Sequence, residues 1–164
     1  MAGRLLGLPP VIGRHARLLV LGSFPGEASL RAGQYYAHPR NQFWPLMGAL
    51  LGADLSALPY AERLAALQAC GVGLWDVYAS CRREGSLDQA IEDAEWNDFA
   101  GLRRRAPGLL HVVHNGGESA RATKALQALG YTVWRLPSTS PANASWTFER
   151  KREAWHAAFV AAGL

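Results

Sequence analysis

Arg17-Leu18-Leu19-Val20-Leu21-Gly22-Ser23-Phe24-Pro25-Gly26 is the stretch on which the fold turns. Four apolar residues in a row, stopped by glycine, read as a strand buried on both faces; a strand with one wet face would alternate with polar residues. Similar runs follow at 72–78, 109–114 and 131–136. Helices are expected between them. In 42–51, Phe43, Leu46, Met47, Leu50 and Leu51 recur at helical spacing. In 59–70, Leu64 and Leu67 share a face and Gly71 supplies the stop. Further helices are expected at 96–105, 119–129 and 147–162, and residues 23–41 read as one long loop. Strands alternating with helices give an α/β fold: three layers, α/β/α, around a central, mainly parallel four-stranded sheet, in a single domain over 1–164.

The composition suits a folded domain. Hydrophobic residues make up 49% and charged residues 18% of the 164, enough apolar mass for a core and far from the profile of a disordered chain. The formal charge of +4 and the sequence pI near 9.4 are compatible with a polyanionic partner. The two cysteines, Cys70 and Cys81, match no metal motif and cannot supply the four ligands of an iron–sulfur cluster. They are expected as buried, reduced thiols, with no metal and no cofactor. Residues 1–17 lack the apolar core of a signal peptide and no apolar run is long enough to span a bilayer, so the expected address is the cytoplasm.

In a parallel sheet the ligand crevice lies beyond the carboxyl ends of the strands. Four loops therefore matter, and they hold the unusual residues. Gly22-Ser23-Phe24-Pro25-Gly26 is a stiff turn whose glycines let a ligand approach the backbone. Residues 34–44 crowd Tyr36, His38, Arg40 and Asn41 ahead of a helix, and Asn41 suits either a cap or a bound water. His114-Asn115-Gly116-Gly117 places an amide at a strand end, where it can read a planar ligand or serve as a turn residue. Residues 137–145 hold Ser138, Thr139, Ser140 and Asn143 around two prolines, a donor-rich loop suited to phosphate oxygens. His15, His111 and His156 stand alone and read as structural or surface groups, and Arg103-Arg104-Arg105 as a solvated helix end.

Together these segments resemble the uracil-DNA glycosylase superfamily, with a Gly-x-x-Pro-Gly-type loop after the first strand and a late Ser/Pro-rich loop. The run 22–44, the blocks Gly71-Val72-Gly73-Leu74-Trp75-Asp76-Val77 and Gly85-Ser86-Leu87-Asp88, and His114-Asn115-Gly116-Gly117 are most similar to its hypoxanthine (deoxyinosine) branch. The resemblance covers about 18–143 and implies a monofunctional glycosylase that acts on double-stranded DNA carrying a deaminated base. The mismatch-specific branch positions its water with an Asn in the first loop, where this chain has Phe24; resemblance to the hypoxanthine branch implies that the catalytic amide is the later Asn41. It implies base contacts from Gly22, Ser23, Phe24, Tyr36, Asp76 and Asn115, and a DNA grip from Arg40, Ser138, Thr139, Ser140 and Asn143.

A monomer is expected. No large apolar residue stands in 137–145 to fill the space of an extruded base. Three other activities stay open on the sequence: removal of uracil or xanthine as well, non-catalytic binding of damaged DNA or a nucleobase, and hydrolysis of free nucleosides.

Overall fold

The computed structural model describes residues 3–164. In chain order the elements are β1 (Leu5–Leu6), β2 (Leu18–Gly22), α1 (Glu27–Ala32), α2 (Phe43–Leu51), α3 (Tyr60–Ala69), β3 (Val72–Asp76), β4 (Tyr78–Arg82), β5 (Glu92–Trp96), α4 (Leu102–Arg105), β6 (His111–Asn115), α5 (Thr123–Ala128), β7 (Thr132–Leu136) and α6 (Phe148–Ala161). Four of the strands form one sheet in the order β3-β2-β6-β7, and each neighbouring pair is parallel. The expected three-layer arrangement is present.

β2 lies at the centre, and Leu18, Leu19, Val20 and Leu21 are all fully buried. Side chains alternate across a strand. Leu18 and Val20 therefore pack with Phe43, Leu46, Met47, Leu67, Trp155 and Phe159 of α2, α3 and α6. Leu19 and Leu21 pack with Val77, Tyr78, Leu102, Val112 and Leu126 on the other side. A strand sandwiched in this way has no use for polar residues, which explains the unbroken apolar run. Strand order reverses at β2: the chain moves one way to β3, then returns to lay down β6 and β7 on the other edge. That reversal opens a crevice beyond the ends of β2 and β6.

Several expectations need correction. The run 72–78 is not one strand. It leaves the parallel sheet after Asp76, and Tyr78 opens a second, antiparallel sheet of order β1-β4-β5. Residues 96–105 are not one helix: Trp96 ends β5, and the helix is only Leu102–Arg105. The long loop contains α1, and 119–129 divides into a 3-10 turn, Ser119–Ala122, and α5. Cys81 is buried as expected, but Cys70 is exposed at the end of α3 and both are free thiols. Among the described residues, no helix is long and apolar enough to cross a membrane.

Candidate active site

A cavity of about 920 Å³ occupies the crevice, lined by segments from all four loops singled out above. Alternation explains which strand residues reach it. Gly22, Asp76 and Asn115 end β2, β3 and β6, and all three share a face with Val20 and Leu74. The floor of the cavity is therefore set by strand register: Gly22 pairs with Asp76, and Leu21 with His114.

Any larger residue at position 22 would displace the Asp76 carboxyl. A Cβ there would lie 2.5 Å from Asp76 Oδ1 and 3.3 Å from the Tyr36 hydroxyl. Asp76 itself is buried, its Oδ2 has no hydrogen-bond partner, and the Asn97 side chain donates to its backbone carbonyl at 2.8 Å. Burial, with Asp88 adding and Arg83 opposing, pushes its carboxyl up from 3.8 to about 7. It is thus poised to hold or release a proton near neutral pH.

Tyr36 sits on the opposite wall. Its ring stacks on Phe43 at 4.0 Å between centroids. Its backbone is left-handed, φ 56°, a strained state for a residue with a Cβ. The strain is held by that stack and by a hydrogen bond that the hydroxyl accepts from Asn115 Nδ2 at 3.2 Å. Burial, then the charge of Asp76, keeps the phenol protonated far above its usual range.

Asn115 lines the cavity, but its amide is also a brace. Nδ2 donates to Thr139 Oγ1 at 3.0 Å, and Oδ1 accepts the Thr139 N–H at 2.9 Å. Thr139, expected in the DNA grip, is fully buried, and its carbonyl accepts the Gln42 N–H at 3.0 Å. Its N–H, its carbonyl and its hydroxyl oxygen are each engaged inside the protein, so it shapes the loop while lining the cavity. Trp155 of α6 adds a further tie, donating from Nε1 to the Pro137 carbonyl at 3.0 Å.

Ser138 Oγ accepts the Ser140 N–H at 3.1 Å, and Ser140 Oγ accepts the Ala142 N–H at 3.2 Å. Each hydroxyl keeps its own hydrogen for an external acceptor. Asn143 Nδ2 closes the loop by donating to the Ser138 carbonyl at 3.2 Å. All three line the cavity.

Asn41 meets the start of α2 and faces the crevice. Its Oδ1 accepts the N–H of Phe43, the first residue of α2, at 2.9 Å, and the residue also lines the cavity. A carbonyl oxygen has a second lone pair and the amide keeps two N–H donors, so the cap does not exhaust it. Arg40 is exposed on the same loop, outside the cavity lining.

Ser23 and Phe24 line the floor of the first loop. Ser23 Oγ donates to Asp88 Oδ1 at 2.5 Å. Phe24 lies under the Arg83 guanidinium, 5.4 Å from the ring centre. Arg83 is buried, and it donates to the carbonyls of Pro25 and Gly85, each at 2.8 Å. It thereby clamps the 22–26 turn against the loop after β4. Nothing in the sequence marked it.

The segment Ser86-Leu87-Asp88-Gln89, with Glu118, Arg135 and Trp146, also lines the cavity without having been assigned a role. Tyr78 donates to Glu118 Oε2. Arg135 crosses above Gly117, where a Cβ would come within 2.7 Å of its Nη2. Behind the wall, Ser119 Oγ donates to the Leu21 carbonyl at 2.7 Å, so His114 Nδ1, 2.7 Å from that oxygen, must be the ring's protonated nitrogen. Burial lowers the imidazole to about 4, and His114 is a neutral structural strut.

Sheet order, strand-end floor and glycine turn define an α/β fold of one particular kind. The chain belongs to the uracil DNA glycosylase superfamily, whose model matches residues 9–159. Within that class it is similar to two proteins named hypoxanthine DNA glycosylase. One, from Methanosarcina barkeri (strain Fusaro / DSM 804), is 42% identical over 93% of this chain and 96% of its own length. The other, from Methanosarcina acetivorans, is 39% identical over the same shares. The solution NMR structure of a Methanosarcina acetivorans protein provisionally named a uracil DNA glycosylase superposes with a TM-score of 0.89. It is 37% identical, and the match covers 99% of this chain and 100% of that one.

Proposed function

We propose that this chain is a monofunctional DNA glycosylase that removes hypoxanthine from deoxyinosine in double-stranded DNA. The observation that carries this reading is the convergence of a protonatable carboxyl, a capped amide and an aromatic wall in one cavity, in a chain 42% identical to a protein named hypoxanthine DNA glycosylase.

The reaction forms a bond between a water oxygen and C1′ of the sugar and breaks the bond from C1′ to the base. The bonding pair leaves with the base, which takes up a proton. The sugar is cation-like at the transition state and the base gains negative charge, so a catalyst needs an aimed water and a donor to the leaving group. Asn41 serves as the water-positioning group through its free lone pair and N–H donors. Asp76, protonated for part of the time near neutral pH, supplies a hydrogen bond or a proton to the base. Hypoxanthine offers O6 and N7 as acceptors and N1–H as a donor, which backbone groups of the 22–26 turn and Asn115 answer. Phe24 and Tyr36 supply apolar faces for the ring.

The base must leave the stack to reach this site. Ser138 and Ser140 offer O–H donors to phosphate oxygens, with Asn143 beside them, while Arg40 and Arg135 add positive charge at the mouth. Base release from matched duplexes bearing one deoxyinosine or one uracil tests the assignment, with wild type and Asn41→Ala side by side. Wild type is expected to release hypoxanthine, and the variant to be slower on the order of a hundredfold. Faster release of uracil would overturn the substrate, and release of neither base would overturn the reaction.

A further inference from the structure

We propose that Leu87 is the wedge that enters the base stack when the target nucleotide leaves it, a role that rests on the glycosylase reading above. An extruded base leaves a gap whose lost stacking an apolar side chain can offset. Residues 137–145 hold only small, polar and proline side chains apart from the buried brace. The cavity rim has an apolar side chain elsewhere. Leu87 is 51% exposed, packs into neither core, and lines the cavity from the loop between β4 and β5.

Its backbone is tethered on both sides. Ser86 Oγ accepts the Glu27 N–H at 3.0 Å. Asp88 accepts from Ser23 at 2.5 Å, and the Leu87 carbonyl accepts the Ala90 N–H at 3.0 Å, closing a short 3-10 turn. Arg83 fixes Gly85 from beneath. The two flanking side chains are thus bound to the 22–26 turn that floors the cavity and to the first residue of α1 that follows it. The leucine between them is left standing in solvent on a fixed base, as a group that must displace a base pair should be. Trp146, the other large apolar group on the rim, is half-buried and already covered by the Arg150 guanidinium at 4.3 Å.

The test compares base release from a deoxyinosine duplex and from the same strand alone. A single strand has no paired gap to fill. For Leu87→Ala the ratio of duplex to single-strand rate is expected to fall about tenfold or more, and Leu87→Met to recover most of it. Equal losses on both substrates, or an unchanged ratio, would overturn the wedge, since a residue that packs the base or the loop serves both strands alike. 2-Aminopurine placed beside the lesion reads stack opening without chemistry. Brightening on binding by wild type and not by Leu87→Ala supports the role, and equal brightening overturns it, whether or not base is released. Failure of wild type to release base from either strand counts against the glycosylase reading alone.

Discussion

Burial holds the Asp76 carboxyl at about 7 rather than 3.8, so the folded chain keeps a proton there that the unfolded chain gives up. A raised acid contributes fully below pH 3.8 and loses that contribution as pH rises to about 7. The site is therefore held at a cost in stability under the conditions where it would work. Asp76→Asn is expected to raise stability on the order of 2 kcal/mol at pH 8 and to leave it unchanged near pH 4, as thermal melts at the two values would show. The same variant should lose excision rate and flatten the inflection near pH 7 in the wild-type rate profile. A rate unchanged at every pH would remove Asp76 from the chemistry. Gly22, Tyr36, Asn41 and Asp76 all line the cavity; the first three were legible from the loops that hold them, and Asp76 through the family resemblance. Arg83 was not, because its value depends on a contact with Pro25 more than fifty positions away.

At the scale of elements, what could be read followed burial. The parallel strands announce themselves through unbroken apolar runs, and α2 and α6 through periodicity or length. β5 gives no such signal. Its sequence is Glu92-Asp93-Ala94-Glu95-Trp96 and it is mostly exposed, so no alternation separates it from a helix face. β1 is two residues long, and α1 has six residues and no side-chain cap, each too short for a pattern to accumulate. The thermodynamics of an element can still rest on one atom. Thr147 Oγ1 accepts the Arg150 N–H at 3.2 Å at the start of α6, the helix whose Trp155 pins the loop after β7. Thr147→Ala is expected to lower unfolding free energy by about 1 kcal/mol, measured by urea denaturation, with little change in base release.

For the molecule as a whole, two buried titrations work against each other. His114, lowered to about 4, is neutral in the folded chain while the unfolded chain charges below 6.5. Its contribution is therefore lost as pH falls from 6.5 toward 4. Asp76 gains over much of the same interval, so the two slopes offset in wild type. In Asp76→Asn the histidine slope stands uncovered. Unfolding free energy of that variant should fall by roughly 2 kcal/mol more than wild type between pH 7 and pH 5, and parallel lines for the two proteins would refute the pairing.

Cys70 and Cys81 differ in one respect that reaches beyond redox state. Cys81 is sealed in the core, whereas Cys70 is open to solvent just ahead of β3, at the end of the sheet remote from the crevice. A thiol-reactive fluorophore or spin label thus has a single native address, far from the mouth where a duplex would dock. The chain comes with its own handle for watching rotational diffusion slow as it captures DNA, and no cysteine need be engineered to attach it.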